Sequence, residues 1–317
     1  MNIDKPTYVP KDYKIIKHVG SGQTSHVYLA KHARFGDLAL KLPRPELHVR
    51  PVLRRMFENE VQITISLNAN RQHKHVIRAF EGFPTGQQAF LSTEYCSGGT
   101  LDQLLYKNNL DYKRASKYIL EIARGLAYTH SRQVYHRDVK PANILLDEND
   151  EVKLADFGTG IFMTDRTTDR VGTAYYMAPE IFEGSIPSVQ ADIYSLGITA
   201  YEVLTNKRPF IGNSFDELML QHLSAIPRNI RHYRKEIPES ISKIVAKAMA
   251  RKPELRYKTT REFIDDYQEA FENSDKSKIV TGRAARNSKL KTTREIEAKT
   301  KKPSKKRGIF SWFGSKK

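Results

Sequence analysis

The sequence predicts an α+β protein of two lobes, a small β-rich lobe followed by a larger helical one, and three observations carry that prediction. Short runs of strand-forming apolar residues, punctuated by Gly and Pro, crowd the stretch before Cys96. After Cys96 the apolar spacing changes to three and four residues over longer segments. At 317 residues the chain is long enough for one large domain or two lobes around a sizeable core.

Taken in order, "YKIIKHV", "HVYLAKH" and "DLALKL" read as strands, with a Gly-rich turn between the first two. "VLRRMFENEVQITISLN" reads as a helix that sets Met56, Phe57, Ile63 and Thr64 three or four positions from Glu60. A carboxylate beside an apolar helix face needs a cation. "VIRAFEGF" and "AFLSTEY" complete the strands of the small lobe. Beyond Cys96, "YKRASKYILEIARGLAYTH" lines up Ala115, Ile119, Ile122, Ala123 and Leu126 on one stripe. Further helices are expected around "ADIYSLGITAYEVLT", "FDELMLQHL", "ISKIVAKAMA" and "REFIDDYQEAF". No internal repeat marks a solenoid. From about Asp275 onward periodic apolar residues vanish and Ser, Thr, Lys and Arg dominate, which reads as disorder up to the last ten residues.

Composition narrows the class. A single cysteine, Cys96, leaves no disulfide framework and fits a reducing compartment such as the cytosol. No apolar run is long enough to span a bilayer, and "MNIDKPTYVPKDYK" lacks the apolar core of a secretory signal, so a soluble or at most peripheral protein is expected. The net charge is +17, of which fifteen Lys or Arg against two acids place +13 between Lys276 and Lys317; residues 1–275 carry the remaining +4. The basic character belongs to a tail.

Four polar groups sit at the margins of two apolar, strand-forming stretches, "VYHRDVKPANILL" and "EVKLADFG". Asp138 could accept a proton from a hydroxyl nucleophile, Lys140 could steady a phosphoryl group, and Asn143 offers an oxygen to a hard metal. Asp156 is a second oxygen ligand, just before Phe157 and Gly158. Mg²⁺ prefers one or two carboxylates together with phosphates and waters, and this pair suits it. Upstream, "GSGQTSHVY" has Gly20 and Gly22 in a turn whose backbone could approach an anion, or which is simply a hairpin. Lys41 of "LALK" shares a strand face with Ala39 and supplies the cation that Glu60 lacks.

With Gly-rich loop, strand lysine, helix glutamate, "HRDVKPAN", "DFG" and "APE" in this order, the sequence resembles the eukaryotic-like serine/threonine protein kinases over residues 13–273. The resemblance implies a bilobal kinase fold with an N-lobe over 13–95 and a C-lobe over 96–273, preceded by an extension at 1–12 and followed by a tail at 274–317. It implies transfer of the γ-phosphoryl group of MgATP to protein serine or threonine hydroxyls, with Mn²⁺ as the alternative ion. Gly20, Ser21 and Gly22 to Val27 would cover the nucleotide phosphates, Val19 would also contact the nucleotide, and Lys41, paired with Glu60, would contact the α- and β-phosphates. Asn143 and Asp156 would hold the metal, Asp138 would be the catalytic base, and Lys140 would meet the γ-phosphate. Adenine would hang from backbone between Glu94 and Cys96 beside Thr93, stacked among Val27, Ala39 and Leu145. Glu180 would bridge Arg256, and Asp192 would brace the turn around Arg137. One departure stands out: Ser25 replaces the third glycine of the loop, which implies weaker or altered nucleotide affinity, or a degenerate site.

Arg137 implies phosphate reception from the activation loop, where Thr164, Thr167 and Thr168 are the candidate autophosphorylation sites and Thr173 faces Asp138. At the C-terminus, Ile309, Phe310, Trp312 and Phe313 lie inside a lysine-rich run, which suggests peripheral contact with an anionic membrane or a partner protein. No specific nucleic acid is predicted. The rival readings are a non-catalytic, ATP-dependent scaffold and a nucleic-acid binder resting on the tail alone.

Overall fold

The structure, a computed structural model, describes residue 6 and residues 8–107, 110–165 and 172–274. The chain forms two compact units, Met1–Phe271 and Glu272–Lys317, of which the first holds every feature below. Thr167, Thr168 and the aromatic C-terminal segment lie outside the described residues.

Five antiparallel strands build the small lobe: β1 (Tyr13–Ser21), β2 (Ser25–His32), β3 (Gly36–Pro43), β4 (Ala79–Phe83) and β5 (Phe90–Glu94), in the order β1-β2-β3-β5-β4. Side chains alternate across a strand, so Leu38, Leu40 and Leu42 of β3 join Tyr13, Tyr28 and Ala30 in one core while Ala39 and Lys41 point to the opposite face. On that face lies α1 (Pro51–Asn68), which starts with proline at its first position. Its Phe57 and Val61 pack with Leu47, Ala89 and Leu91. Each buried Phe, Val or Leu among them contributes about 1.5–3 kcal/mol of transfer free energy. Glu60 lies on this same buried face, 3 % exposed, as its spacing from Phe57 and Ile63 requires.

The expected strand "VIRAFEGF" begins later than its pattern suggests, because β4 starts at Ala79. Val76 instead bridges Leu154, and the Ile77 amide donates to the Leu154 carbonyl at 2.9 Å. Both side chains are buried in the core of the large lobe, so a non-local strand claims residues that local pattern assigns to the sheet.

The large lobe is built on α3 (Tyr112–Ser131) and α5 (Val189–Thr205), each with a side-chain N-cap. Asp111 accepts from the Lys113 and Arg114 amides and Ser188 from the Ala191 amide, which satisfies donors that a helix start leaves open. α5 is buried on nearly every side and ends at Asn206, whose left-handed backbone (φ 53°) turns the chain away. Around these pack α6 (Phe215–Ser224), α8 (Glu239–Ala248) and a helix that begins at residue 260. Short elements that local pattern does not announce complete the lobe: the helix α2 (Leu101–Lys107), the four-residue helices α4 (Pro179–Phe182) and α7 (Ile230–Tyr233), and strands β6 to β10. β6 (Gly99–Thr100), β8 (Ile144–Leu146) and β9 (Val152–Leu154) form one small sheet, and β7 (Val134–Tyr135) pairs with β10 (Ile161–Phe162). These two sheets hold the loop of Asp138 and the turn of Asp156 in place.

Candidate active site

Two short turns deliver the polar groups. The first, between β7 and β8, carries Arg137 with φ 67°, a conformation unfavourable for a residue with Cβ. Asp192 of α5 stabilises it from below: Oδ2 accepts from the His136 amide at 2.9 Å and Oδ1 from the Arg137 amide at 2.8 Å. Asp192 is 2 % exposed. Burial alone would raise its pKa, but His130 and the His136 amide more than offset this and hold the carboxyl below the usual range. The second turn, after β9, carries Asp156 with φ 64°. His136 links the two turns, its Nε2 lying 3.1 Å from the Ala155 carbonyl and its ring against Phe157.

Three donors converge on the Asp138 carboxylate. Oδ2 accepts from Lys140 Nζ at 2.6 Å and from Asn143 Nδ2 at 3.0 Å, while Oδ1 accepts from the Thr173 amide at 2.9 Å. Lys140 Nζ also reaches Thr173 Oγ1 at 2.5 Å, so the residue 35 positions beyond Asp138 is tied to it twice. Gly172, with φ 109°, makes this approach feasible, since a Cβ there would lie 2.7 Å from the Arg137 carbonyl. Asn143 also donates to the Asp138 carbonyl at 2.9 Å. With its amide nitrogen so committed, its side-chain oxygen is left for another partner.

From the small lobe, Lys41 Nζ donates to Glu60 Oε1. Desolvation opposes the ammonium, yet Glu60 and Asp156 together raise the Lys41 pKa above its ordinary value. That coupling brings the cation of the small lobe together with the second turn of the large one.

A cavity of about 490 Å³ joins these groups. Ser21, Gly22 and Val27 line it from the first hairpin, Lys41 and Glu60 from the β3–α1 pair, and Asp138, Lys140, Asn143 and Asp156 from the large lobe. All five side chains of the sequence-derived constellation therefore border one space. Val19, Gly20, Ala39, Thr93, Glu94, Cys96 and Leu145 do not border it. Ala39 and Thr93 are cross-strand partners, and so are Leu38 and Glu94. Cys96 is buried, and desolvation pushes its thiol up to about 12, so it remains a thiol. Met56, Thr159 and Gly172 also border the cavity, placed there by the fold alone, without a local sequence signal. Thr164 is exposed, 3.4 Å from Asp165 through its hydroxyl, and Arg137 Nη1 donates to the Thr159 carbonyl at 3.4 Å.

Ser25, in place of a third glycine, is buried, and its carbonyl accepts from the Gly22 amide at 2.8 Å. The hairpin thus closes without a glycine at that position. Elsewhere, Arg256 grips Glu180 through two bonds of 2.7 Å, with its side chain wholly buried.

Among the described residues no three His, Cys, Asp or Glu side chains gather to hold a metal ion. Of the three carboxylates that border the cleft, Glu60 is paired with Lys41 and Asp138 accepts from Lys140, Asn143 and the Thr173 amide; Asp156 and the Asn143 amide oxygen remain as donors that could hold a hard cation completed by phosphates and waters.

Comparison with known proteins gives a consistent picture. The family model "protein kinase domain" matches residues 13–267. The serine/threonine-protein kinase PknB of Mycolicibacterium smegmatis is 31 % identical over 292 residues, 87 % of this chain and 46 % of that protein. PrkC of Bacillus subtilis, a serine/threonine-protein kinase, is 30 % identical over 266 residues, 82 % of this chain and 40 % of its own length. The Aurora kinase of Schizosaccharomyces pombe is 32 % identical over 247 residues, 77 % of this chain and 68 % of that protein. The chain thus spans less than half the length of the two bacterial relatives.

Proposed function

The chain belongs to the protein kinase domain family, and from that premise we propose that it is a serine/threonine protein kinase transferring the γ-phosphoryl group of ATP to hydroxyls of protein substrates. The observation that carries the reading is the seating of Asp138, Lys140, Asn143, Asp156 and the Lys41–Glu60 pair around one cavity. In the proposed reaction the substrate hydroxyl oxygen forms a bond to the γ-phosphorus, the bond from that phosphorus to the β,γ-bridging oxygen breaks, and ADP leaves. Asp138 accepts the hydroxyl proton, oriented for it by Lys140, Asn143 and the Thr173 amide. Lys41 meets the α- and β-phosphates, and Lys140 the γ-phosphate. When bound at Asn143 and Asp156, Mg²⁺, or Mn²⁺ in its place, neutralises charge on the phosphate oxygens. Positioning and electrostatics do most of the work.

The adenine is assigned to the strand end at Glu94 to Cys96 beside Thr93, between Val27 and Ala39 above and Leu145 below. Gly20, Ser21 and Gly22 cover the phosphates, and Val19 contacts the nucleotide beside them. The catalytic domain is set at 13–273, between an extension at 1–12 and a basic tail at 274–317. Arg137 is the receiver of a phosphate placed by autophosphorylation on Thr164, Thr167 or Thr168. The lone buried thiol of Cys96 supports a reducing, cytoplasmic setting. Among the described residues no helix is long and apolar enough to cross a membrane.

Incorporation of labelled phosphate from MgATP into the protein itself and into a generic basic substrate tests the reading. Asp138→Asn is expected to abolish both. Equal incorporation by wild type and variant would overturn the assignment of the base, and none by wild type would favour the scaffold reading.

A further inference from the structure

The hairpin that covers the cavity carries a second cluster, which meets the cavity lining at Ser21. His18 of β1 and His26 of β2 are diagonal neighbours across the pair, since Ser21 lies opposite His26 and His18 opposite Tyr28. Their imidazoles aim at one point: His18 Nε2 is 3.0 Å and His26 Nδ1 is 2.7 Å from Ser21 Oγ. The ring centroids are 5.8 Å apart and their planes meet at 63°. Ser21 is exposed, so the point where the two nitrogens converge is open to solvent.

A serine hydroxyl has one proton to donate, so one imidazole accepts it and the other donates its own N–H to the oxygen. Such a relay holds two imidazoles in ligating orientation from two strands whose pairing fixes their separation. Imidazole nitrogen is the ligand of choice for zinc, copper and nickel, and zinc takes it at about 2.0–2.1 Å. Both nitrogens already lie within about an ångström of that distance from the hydroxyl position. A small turn of each ring, with the hydroxyl moving aside as a third ligand, brings them to it.

We propose that His18, His26 and Ser21 form a binding site for a borderline divalent transition-metal ion, with zinc as the test case, on the outer face of the β1–β2 hairpin. The site shares Ser21 with the proposed nucleotide loop but differs in its donors, because Mg²⁺ in the cleft would be held by oxygen alone and this ion chiefly by imidazole nitrogen. A bound ion fastens β1 to β2 beside Ser21 and Gly22, which border the cavity.

Zinc titration of the full chain by calorimetry, in excess Mg²⁺, tests the site, together with amide exchange over residues 18–28. The wild type is expected to bind one zinc more than His18→Ala and His26→Ala, and zinc is expected to slow exchange in this hairpin in wild type alone. Any ion taken up in the cleft is common to all three proteins and cancels. Both histidines are partly exposed and lean on the ring of the buried Tyr28 at 5.3 and 6.5 Å, so each variant loses a ring contact at the rim of the core and is expected to keep the fold, which circular dichroism checks. Identical isotherms in the three proteins, or a zinc effect on hairpin exchange that survives either substitution, would overturn the proposal.

Discussion

Lys41 Nζ donates to Glu60 Oε1, fastening strand β3 to helix α1 in the interior of the small lobe. The Lys41 side chain is 19 % exposed and that of Glu60 4 %, and Asp156 acts on the lysine as a second carboxylate. The two partners are therefore not equivalent. Lys41→Met leaves Glu60 buried without a cation and is expected to cost about 3–5 kcal/mol, whereas Glu60→Gln leaves Lys41 with Asp156 and costs less. Urea denaturation of both variants measures the order. Phosphoryl transfer is expected to fall in both, and a Glu60→Gln variant less stable than Lys41→Met would contradict this account of the pair.

Asp192 holds three groups at once, the amides of His136 and Arg137 and the ring of His130 at 2.8 Å. Asp192→Ala frees the turn that keeps Arg137 in its left-handed conformation and is expected to lower stability by about 3–5 kcal/mol. It removes no reacting group. Thermal unfolding should move strongly, and the nucleotide complex should weaken only as far as the Asp138 loop loosens. A melting temperature within a degree or two of wild type, against a shift of several degrees per about 1–2 kcal/mol, would rule out the bracing role.

Acid sensitivity follows from His222, which is 1 % exposed and packed against Phe182, Phe210 and Tyr194. Burial pushes it down to about 4. The unfolded chain takes up this proton below about pH 6.5, the folded one only near its depressed value. The protonated unfolded state is thus favoured as pH falls through this window, and stability declines by up to about 1.4 kcal/mol per pH unit. His222→Gln is expected to flatten the decline. Asp192 acts in a separate range: its pKa is lowered from 3.8, so its contribution is complete above that value and disappears below it. Denaturation midpoints between pH 7 and pH 4 that are parallel for wild type and His222→Gln would exclude this origin.

Much of the fold is visible in the sequence because local pattern and tertiary demand agree. The alternation of Leu38, Leu40 and Leu42 against Ala39 and Lys41 gives both the strand and its two faces. Glu60 betrays its partner because a carboxylate on a buried helix face needs one. What stays hidden is set by distant chain segments. Val76 and Ile77 have strand character but join Leu154 rather than β4, and the two- and three-residue strands around Asp138 and Asp156 are too short for any period to register. The role of Asp192 is not legible in α5 itself, where it is a charged residue in an apolar helix; only the family resemblance implies it, and the amides of His136 and Arg137, the latter 55 positions away, bear it out. His18 and His26 likewise look like ordinary strand residues until the hairpin register brings their rings together.

Calorimetric titration with ATP, with and without magnesium, against the wild type and Asp156→Ala tests the central claim most directly. One nucleotide per chain is expected for the wild type in magnesium, with affinity falling when magnesium is withheld, while Asp156→Ala should bind weakly and respond little to the ion. No uptake by the wild type in magnesium, or identical magnesium dependence in the two proteins, would contradict a metal-nucleotide site built on Lys41, Asn143 and Asp156.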